Sequence, residues 1–207
     1  MSEFKIDALL GPKIFERTMS RTYDLYLHDE IEGPDDYIEW NQLFRSATAE
    51  DVIYVHINSY GGQINTAIQM IRAMRETSAT IVTSIEGACM SAATMIFLQG
   101  DVCEISDHSQ FMVHTYSGAA WGKGNEMASQ VLHDGDWISD LMHDIYTHFF
   151  TEAEIDAVIA GKDVWLTPDD VFTRLKKKTI ILEKERKEEE KIAAGPKKKQ
   201  LKKKPVK

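Results

Sequence analysis

Cysteine is scarce in this sequence, and long apolar runs are missing. Its 207 residues include only two cysteines, Cys89 and Cys103. Two thiols cannot staple a domain of this size, and nothing in the sequence indicates a zinc cluster, so we predict no disulfide framework and no metal site. No apolar run approaches the roughly 20 residues of a membrane span, and the N-terminus lacks a signal-peptide apolar region. We therefore expect a cytoplasmic protein without a membrane anchor.

Basic residues are sparse everywhere except at the C-terminal end. Residues 174–207 carry 15 Lys and Arg against five Asp and Glu, whereas the preceding residues carry nine against 28. An acidic body is not expected to bind nucleic acid through its own surface. The segment 183–207 is predicted to be a charged tail, helical or solvated at first and disordered at its low-complexity, lysine-rich end. Such a tail either contacts an acidic partner or nucleic acid, or only solubilises the chain.

Strand-like and helix-like patterns alternate along the rest of the chain. Predicted strands cover 23–27, 52–57 and 80–85, and predicted helices lie near 35–47, 63–76 and from Ser91 onward. This alternation indicates an α/β fold of βαβ units that right-handed crossovers stack into a spiral. Functional groups of such folds lie at the carboxyl ends of the strands, where 58–62 and 87–91 fall. Further helices are predicted near 125–149 and 152–160, and another begins at Thr167-Pro168.

The segment G-A-C-M-S-A-A at 87–93 carries the strongest functional signal. It joins a β-branched strand to a helix-length apolar stretch and so places Ser91 at a helix N-terminus. Unpaired backbone N–H groups gather there and stabilise a developing oxyanion. Ser91 is therefore a candidate nucleophile, although serine is also a favoured N-cap residue, and that alternative is open from this segment alone.

Three further features supply the other parts that acyl transfer requires. His114 ends the short strand-like run F-M-V-H-T and is a candidate general base. Asp163 precedes the run V-W-L and is a candidate for orienting that imidazole. The segment N-S-Y-G-G at 58–62 follows a strand, and its paired glycines permit positive φ and close approach of backbone N–H groups to a substrate. Nucleophile, base, orienting acid and glycine turn together indicate acyl-transfer chemistry.

These four segments resemble the ClpP family, the proteolytic subunits of Clp proteases. The family pattern N-S-P-G-G matches residues 58–62, G-x-x-x-S-M-G matches 87–93, M-I-H matches 112–114 and D-x-F-L-(S/T) matches 163–167. The resemblance covers roughly residues 21–173. It implies a serine endopeptidase with Ser91 as nucleophile, His114 as base and Asp163 as orienting acid.

The same resemblance implies the surroundings of the triad and the architecture of the assembly. The backbone N–H groups of Gly62 and Ala92 would form the oxyanion hole, and substrate would lie along Tyr60 and Gly61. The family works as stacked heptameric rings, with the helix near 125–149 as the ring-contact handle, and an AAA+ unfoldase feeds it with ATP. No metal and no cofactor are implied. A dedicated role, such as a viral maturation protease, also fits the divergent termini.

The sequence also departs from the family pattern. Tyr60 replaces a proline, and Ala92 and Ala93 replace Met-Gly after the nucleophile. We accordingly divide the chain into a divergent arm (1–20), a ClpP-like peptidase domain (21–182) and the charged tail (183–207). Two alternatives remain: a ClpP-like ring subunit that has lost activity, and a crotonase-type acyl-CoA enzyme of the same superfold.

Overall fold

Strands and helices alternate along residues 20–193, the part of the chain that the computed structural model describes. The strands are β1 (Thr22–Ile31), β2 (Val52–Gly62), β3 (Thr80–Met90), β4 (Val102–Ile105), β5 (Gln110–Val113) and β6 (Val164–Leu166). The helices are α1 (Ile38–Ser46), α2 (Ile64–Glu76), α3 (Ala92–Phe97), α4 (Gly124–Tyr146), α5 (Glu152–Ile159) and α6 (Pro168–Ala193). A 3₁₀ turn, Pro34–Tyr37, leads into α1. The predicted α/β class is confirmed.

One sheet with the order β1-β2-β3-β5-β6 organises the fold. Its first strands are parallel, and only β6 of the described strands runs antiparallel, against β5. The first half of β3 pairs with β4 and its last residues pair with β5. The carboxyl ends of β2, β3 and β5 therefore meet at one edge, as the sequence predicts for a parallel α/β sheet.

The core lies between one face of this sheet and the helices that cross it. The sheet contributes β-branched residues that are fully or almost fully buried, namely Ile53, Val55, Ile57, Ile81 and Ile85. The apolar stripe of α2, with Met70 and Met74, packs in the same cluster, as does most of α3. Burial of such side chains contributes about 1.5–3 kcal/mol each, so packing against the sheet fixes the position of α3.

The helix ends follow the capping chemistry that the sequence predicts. The Thr151 side chain accepts a hydrogen bond from Glu154 N–H at 3.3 Å, and the Glu154 carboxylate accepts one from Thr151 N–H at 2.9 Å. Thr167 and Asp170 form the same reciprocal pair at the start of α6. Both helices therefore begin where the sequence places them.

The structure differs from the prediction at α4, and at α6 it shows which of two alternatives applies. The helix predicted near 125–149 ends at Tyr146, and Phe149 is buried in the turn that follows it. α6 continues through the first part of the predicted tail to Ala193, so 183–193 is helical. The arm up to residue 19 and the end of the tail from 194 lie outside the described residues. Within residues 20–193 none of the helices has both the length and the apolar character needed to cross a membrane.

Candidate active site

Ser91 occupies a strained position between β3 and α3. Its φ and ψ angles are 52° and −129°, a conformation that non-glycine residues rarely adopt. Hydrogen bonds hold it there: Ser91 N–H donates to Met112 O at 2.9 Å, and Ser91 O accepts from Thr94 N–H at 3.0 Å. The Ser91 hydroxyl caps no helical N–H. The N-cap alternative therefore does not explain this serine, and retained strain of this kind is typical of functional sites.

Gly61 lies directly beside Ser91. Its φ is +94°, and a Cβ at this position would stand 2.7 Å from Ser91 Cβ and 3.0 Å from Ala92 N. Gly62, with φ +145°, is equally close to the backbone of Ile31, because a Cβ there would lie 2.6 Å from Ile31 N. The paired glycines predicted to form a turn instead end β2, and they let its backbone approach the serine.

Side chains that the sequence analysis did not single out hold this arrangement together. Asn58 Oδ1 accepts a hydrogen bond from Ala88 N–H at 2.9 Å and so ties the end of β2 to β3. Ser59 Oγ donates to Asp29 O at 2.7 Å and accepts from Gly61 N–H at 3.2 Å. Both residues fall inside the N-S-Y-G-G motif, in which the sequence analysis singled out Tyr60 and the two glycines.

His114 directly follows β5 and Asp163 directly precedes β6, and these two strands pair with each other. The antiparallel register pairs Met112 with Trp165 and ends with Val113 opposite Val164, so His114 and Asp163 are the residues next to the last pair. Half-buried His114 lines the same cavity as Ser91, whereas exposed Asp163 lies outside that cavity. No hydrogen bond joins the His114 ring to the side chain of Ser91 or Asp163. The structure therefore brings Ser91 and His114 to one cavity, whereas Asp163 lies outside it, next to the strand that pairs with β5.

The shared cavity has a volume of about 420 Å³. Ser91, Ala92 and His114 form its reactive side, together with Gly62. Ala92 is the first residue of α3, so its N–H group has no partner within the helix. This concave site combines a serine, an imidazole and a backbone N–H group that has no hydrogen-bond partner within its helix.

A family model described as Clp protease matches residues 17–174, three quarters of the chain. The chain belongs to the Clp protease family. Among curated proteins, an ATP-dependent Clp protease proteolytic subunit from Chlorella vulgaris is 31% identical over 80 residues. That alignment covers 38% of this chain and 40% of the relative, so it spans well under half of the algal protein. The predicted family and fold are thereby confirmed, and a protease is favoured over the crotonase-type alternative.

The other residues of the two motifs do not line this cavity, at least among the lining residues that the structure describes. Tyr60 is 62% exposed, and neither Tyr60 nor Gly61 lines the cavity that holds Ser91. Ala93, which replaces the family glycine, is fully buried and is accommodated within α3. Cys89 is also fully buried, and burial raises the pKa of its thiol well above the usual range. A thiol that stays protonated is a poor nucleophile, so Cys89 serves packing.

Proposed function

We propose that this member of the Clp protease family is a serine endopeptidase that hydrolyses peptide bonds through Ser91, His114 and Asp163. The proposal rests on one observation. Ser91 has a strained backbone and a hydroxyl that caps no helical N–H group, and it shares a cavity with His114. Family membership supports a peptidase in general. Assignment of the three residues rests on their positions and on their match to the family motifs.

In this mechanism each residue has a defined task. His114 accepts the proton of Ser91 Oγ as the hydroxyl attacks the scissile carbonyl, and later donates it to the leaving amine. Asp163 orients the imidazole from the neighbouring strand. The N–H groups of Gly62 and Ala92 stabilise the oxyanion of the tetrahedral intermediate. A water molecule then hydrolyses the acyl-enzyme by the same route.

Hydrogen bonds between the three triad residues must form before the triad can work. His114 makes no hydrogen bond with the side chain of Ser91 or Asp163, and catalytic hydrogen bonds often reach their short geometry only in the complex with substrate. An extended substrate pairing with the backbone near Tyr60 and Gly61 would supply that change by β-augmentation. Substrate binding and triad closure are therefore coupled in this proposal.

The assembly that we propose is a stacked ring of identical subunits fed by an AAA+ unfoldase. The algal relative is an ATP-dependent Clp protease proteolytic subunit. In this chain the first half of α4 is exposed, although it carries Val131 and Leu132. An exposed apolar helix face is typical of a surface that another subunit covers. Ring size and the ATPase follow from the family resemblance.

Substitution of the serine tests the function directly. We expect Ser91→Ala to lower kcat for peptide hydrolysis roughly 10⁴- to 10⁶-fold while the assembly stays intact, because the nucleophile is lost and the fold is not. A fluorophosphonate probe should label the unmodified chain at Ser91 only. Cys89→Ser is the matched control, since this residue is near the serine but buried, and it should keep the label. Full activity of Ser91→Ala would disprove the assignment.

A ring subunit without activity is the second candidate. It is favoured by the missing hydrogen bonds around His114 and by the position of Asp163 outside the cavity. The fluorophosphonate probe separates the peptidase from this candidate, because a subunit without activity forms the assembly but takes no label. In that case neither Ser91→Ala nor His114→Ala changes the rate of peptide hydrolysis.

A further inference from the structure

Two carboxylates stand at the rim of the cavity that holds Ser91. Glu30 and Glu32 flank Ile31 at the end of β1, and both line the cavity. Both side chains are exposed, and neither forms an ion pair or a side-chain hydrogen bond with any residue between 20 and 193. Within the same range no lysine or arginine lines the cavity, so the rim keeps this negative charge.

The position of these carboxylates relative to Ser91 is fixed by backbone contacts. Ile31 pairs with Gly62 in the β1–β2 register, after an irregularity between Asp29 and Glu30. Gln63 N–H then donates to Ile31 O at 2.8 Å. The segment that carries Glu30 and Glu32 thus pairs with the end of β2, and Gly61 in that end lies directly against Ser91. These two contacts fix its position relative to the nucleophile.

Part of the lining of the same cavity is apolar and buried. Its buried lining includes Met95, one turn into α3, and Ile138 and Met142 from the second half of α4. Methionine side chains adapt their shape to an unbranched aliphatic chain. The cavity thus offers apolar contact on this part of its lining and negative charge at its rim, which matches a side chain with an aliphatic stem and a cationic head.

We propose that this cavity selects lysine or arginine at the substrate residue whose carbonyl Ser91 attacks. The inference rests on the proposed peptidase function and names its substrate class. The apolar lining holds the methylene stem, while Glu30 and Glu32 attract the cation. Since both carboxylates are exposed, their effect should be modest and should weaken as salt screens it.

Matched peptides test this specificity. Three fluorogenic peptides differ only in the residue before the scissile bond, which is lysine, norleucine or glutamate. Norleucine keeps the aliphatic stem of lysine without its charge. We expect kcat/KM for the lysine peptide to exceed that for the norleucine peptide about fivefold at low salt, and the ratio to approach one in Glu30→Gln/Glu32→Gln. The glutamate peptide should be the poorest substrate.

A control pair separates local from global charge effects. Glu39→Gln/Glu50→Gln removes the same charge at two exposed positions outside the cavity and should keep the lysine preference. A norleucine preference in the unmodified enzyme, or a lysine preference unchanged by Glu30→Gln/Glu32→Gln, would overturn the proposal while leaving the peptidase function intact.

Binding provides a measurement that does not depend on turnover. Fluorescence anisotropy of the same peptides with Ser91→Ala should show the same order of affinity and the same salt dependence. If the unmodified chain hydrolyses no peptide and takes no fluorophosphonate label, the proposed function fails. Equal binding of all three peptides in that case overturns the specificity as well.

Discussion

At the scale of single residues, the backbone at Ser91 and Gly61 decides what the site can do. Ser91 has a positive φ without being glycine, and two neighbours, Met112 and Thr94, hold its backbone in place. Conformations of this kind cost about 1–3 kcal/mol and persist where the surroundings enforce them. The serine hydroxyl is thereby kept away from the helix N–H groups and is available to a substrate.

We predict that Gly61→Ala destabilises the fold and removes activity. The new Cβ would stand 2.7 Å from Ser91 Cβ in a backbone with φ +94°, so Ser91 or β2 must move. We expect a loss of roughly 2–3 kcal/mol in the free energy of unfolding, measured by urea denaturation. Gly33→Ala is the matched control, because Gly33 has φ −61° and open space around it. Normal stability and activity of Gly61→Ala would contradict this account of the site.

The sequence predicts which residues are candidates for catalysis better than it predicts the contacts between them. Ser91 and His114 lie at strand ends that meet in a parallel sheet, so periodicity and motif spacing are sufficient to bring them together. Whether His114 hydrogen-bonds to Asp163 depends on side-chain rotamers at an exposed edge, which no pattern specifies. Glu30 was not predicted either, because a carboxylate at the end of an outer strand resembles any solvated residue until the neighbouring strand is in place.

At the scale of secondary-structure elements, His56 connects the first three strands through side chains that lie outside the apolar core. Its Nε2 lies 2.9 Å from Asp24 Oδ1 on β1, and its Nδ1 contacts Glu86 on β3. The Tyr26 ring stacks on the imidazole with centroids 4.7 Å apart. Partial burial lowers the pKa of His56, but the hydrogen bonds to Asp24 and Glu86 outweigh it, so the pKa is raised from 6.5.

This raised pKa predicts a pH-dependent stability. The protonated imidazole donates to both carboxylates, so its contribution is full below pH 6.5 and is lost as pH rises through the folded-state pKa. We expect His56→Gln to lower the free energy of unfolding by roughly 0.5–1 kcal/mol at pH 5.5, allowing for solvent screening of the partners, and by less at pH 9. Urea denaturation at both pH values, at one protein concentration, measures the difference.

A second histidine provides the control for this prediction. His133 on α4 is highly exposed, and its acidic neighbour is Asp134, the next residue in the chain. His133→Gln should therefore change stability little at either pH. An effect of His56→Gln that is the same at pH 5.5 and pH 9 would show that the histidine stabilises the sheet by packing alone.

Element boundaries show where the periodicity of the sequence stops being informative. Apolar spacing predicts α4 through Phe149, but the chain leaves the helix after Tyr146 and still buries Phe149 and Phe150 from a turn. Burial of an aromatic ring requires only that it reach the core, whatever the local backbone. α6 shows the opposite case, because its last turns are exposed and are specified by alternating charges, including the Glu183–Lys187 pair.

At the scale of the whole molecule, exposed apolar residues lie just before α4 and in its first half. Trp121, just before the helix, is 84% exposed, and Leu132 is 71% exposed. Val131 lies beside Leu132 in the chain, whereas the second half of the same helix is buried in the core through Ile138 and Met142. Apolar residues on the part of a helix that the domain core does not cover indicate that another surface covers them.

We predict that this surface, formed by Trp121, Val131 and Leu132, holds the subunits of a homo-oligomer together. Leu132→Asp should lower the native mass measured by light scattering or native mass spectrometry, because burying a charge in a subunit contact is costly. Ile38→Asp is the control, since Ile38 is 54% exposed at the start of α1 and lies outside that surface. A monodisperse monomer near 23.5 kDa for the unmodified chain would contradict the ring. If Leu132→Asp instead leaves a large assembly unchanged, the subunits meet through another face, and the exposed end of α4 requires a different partner.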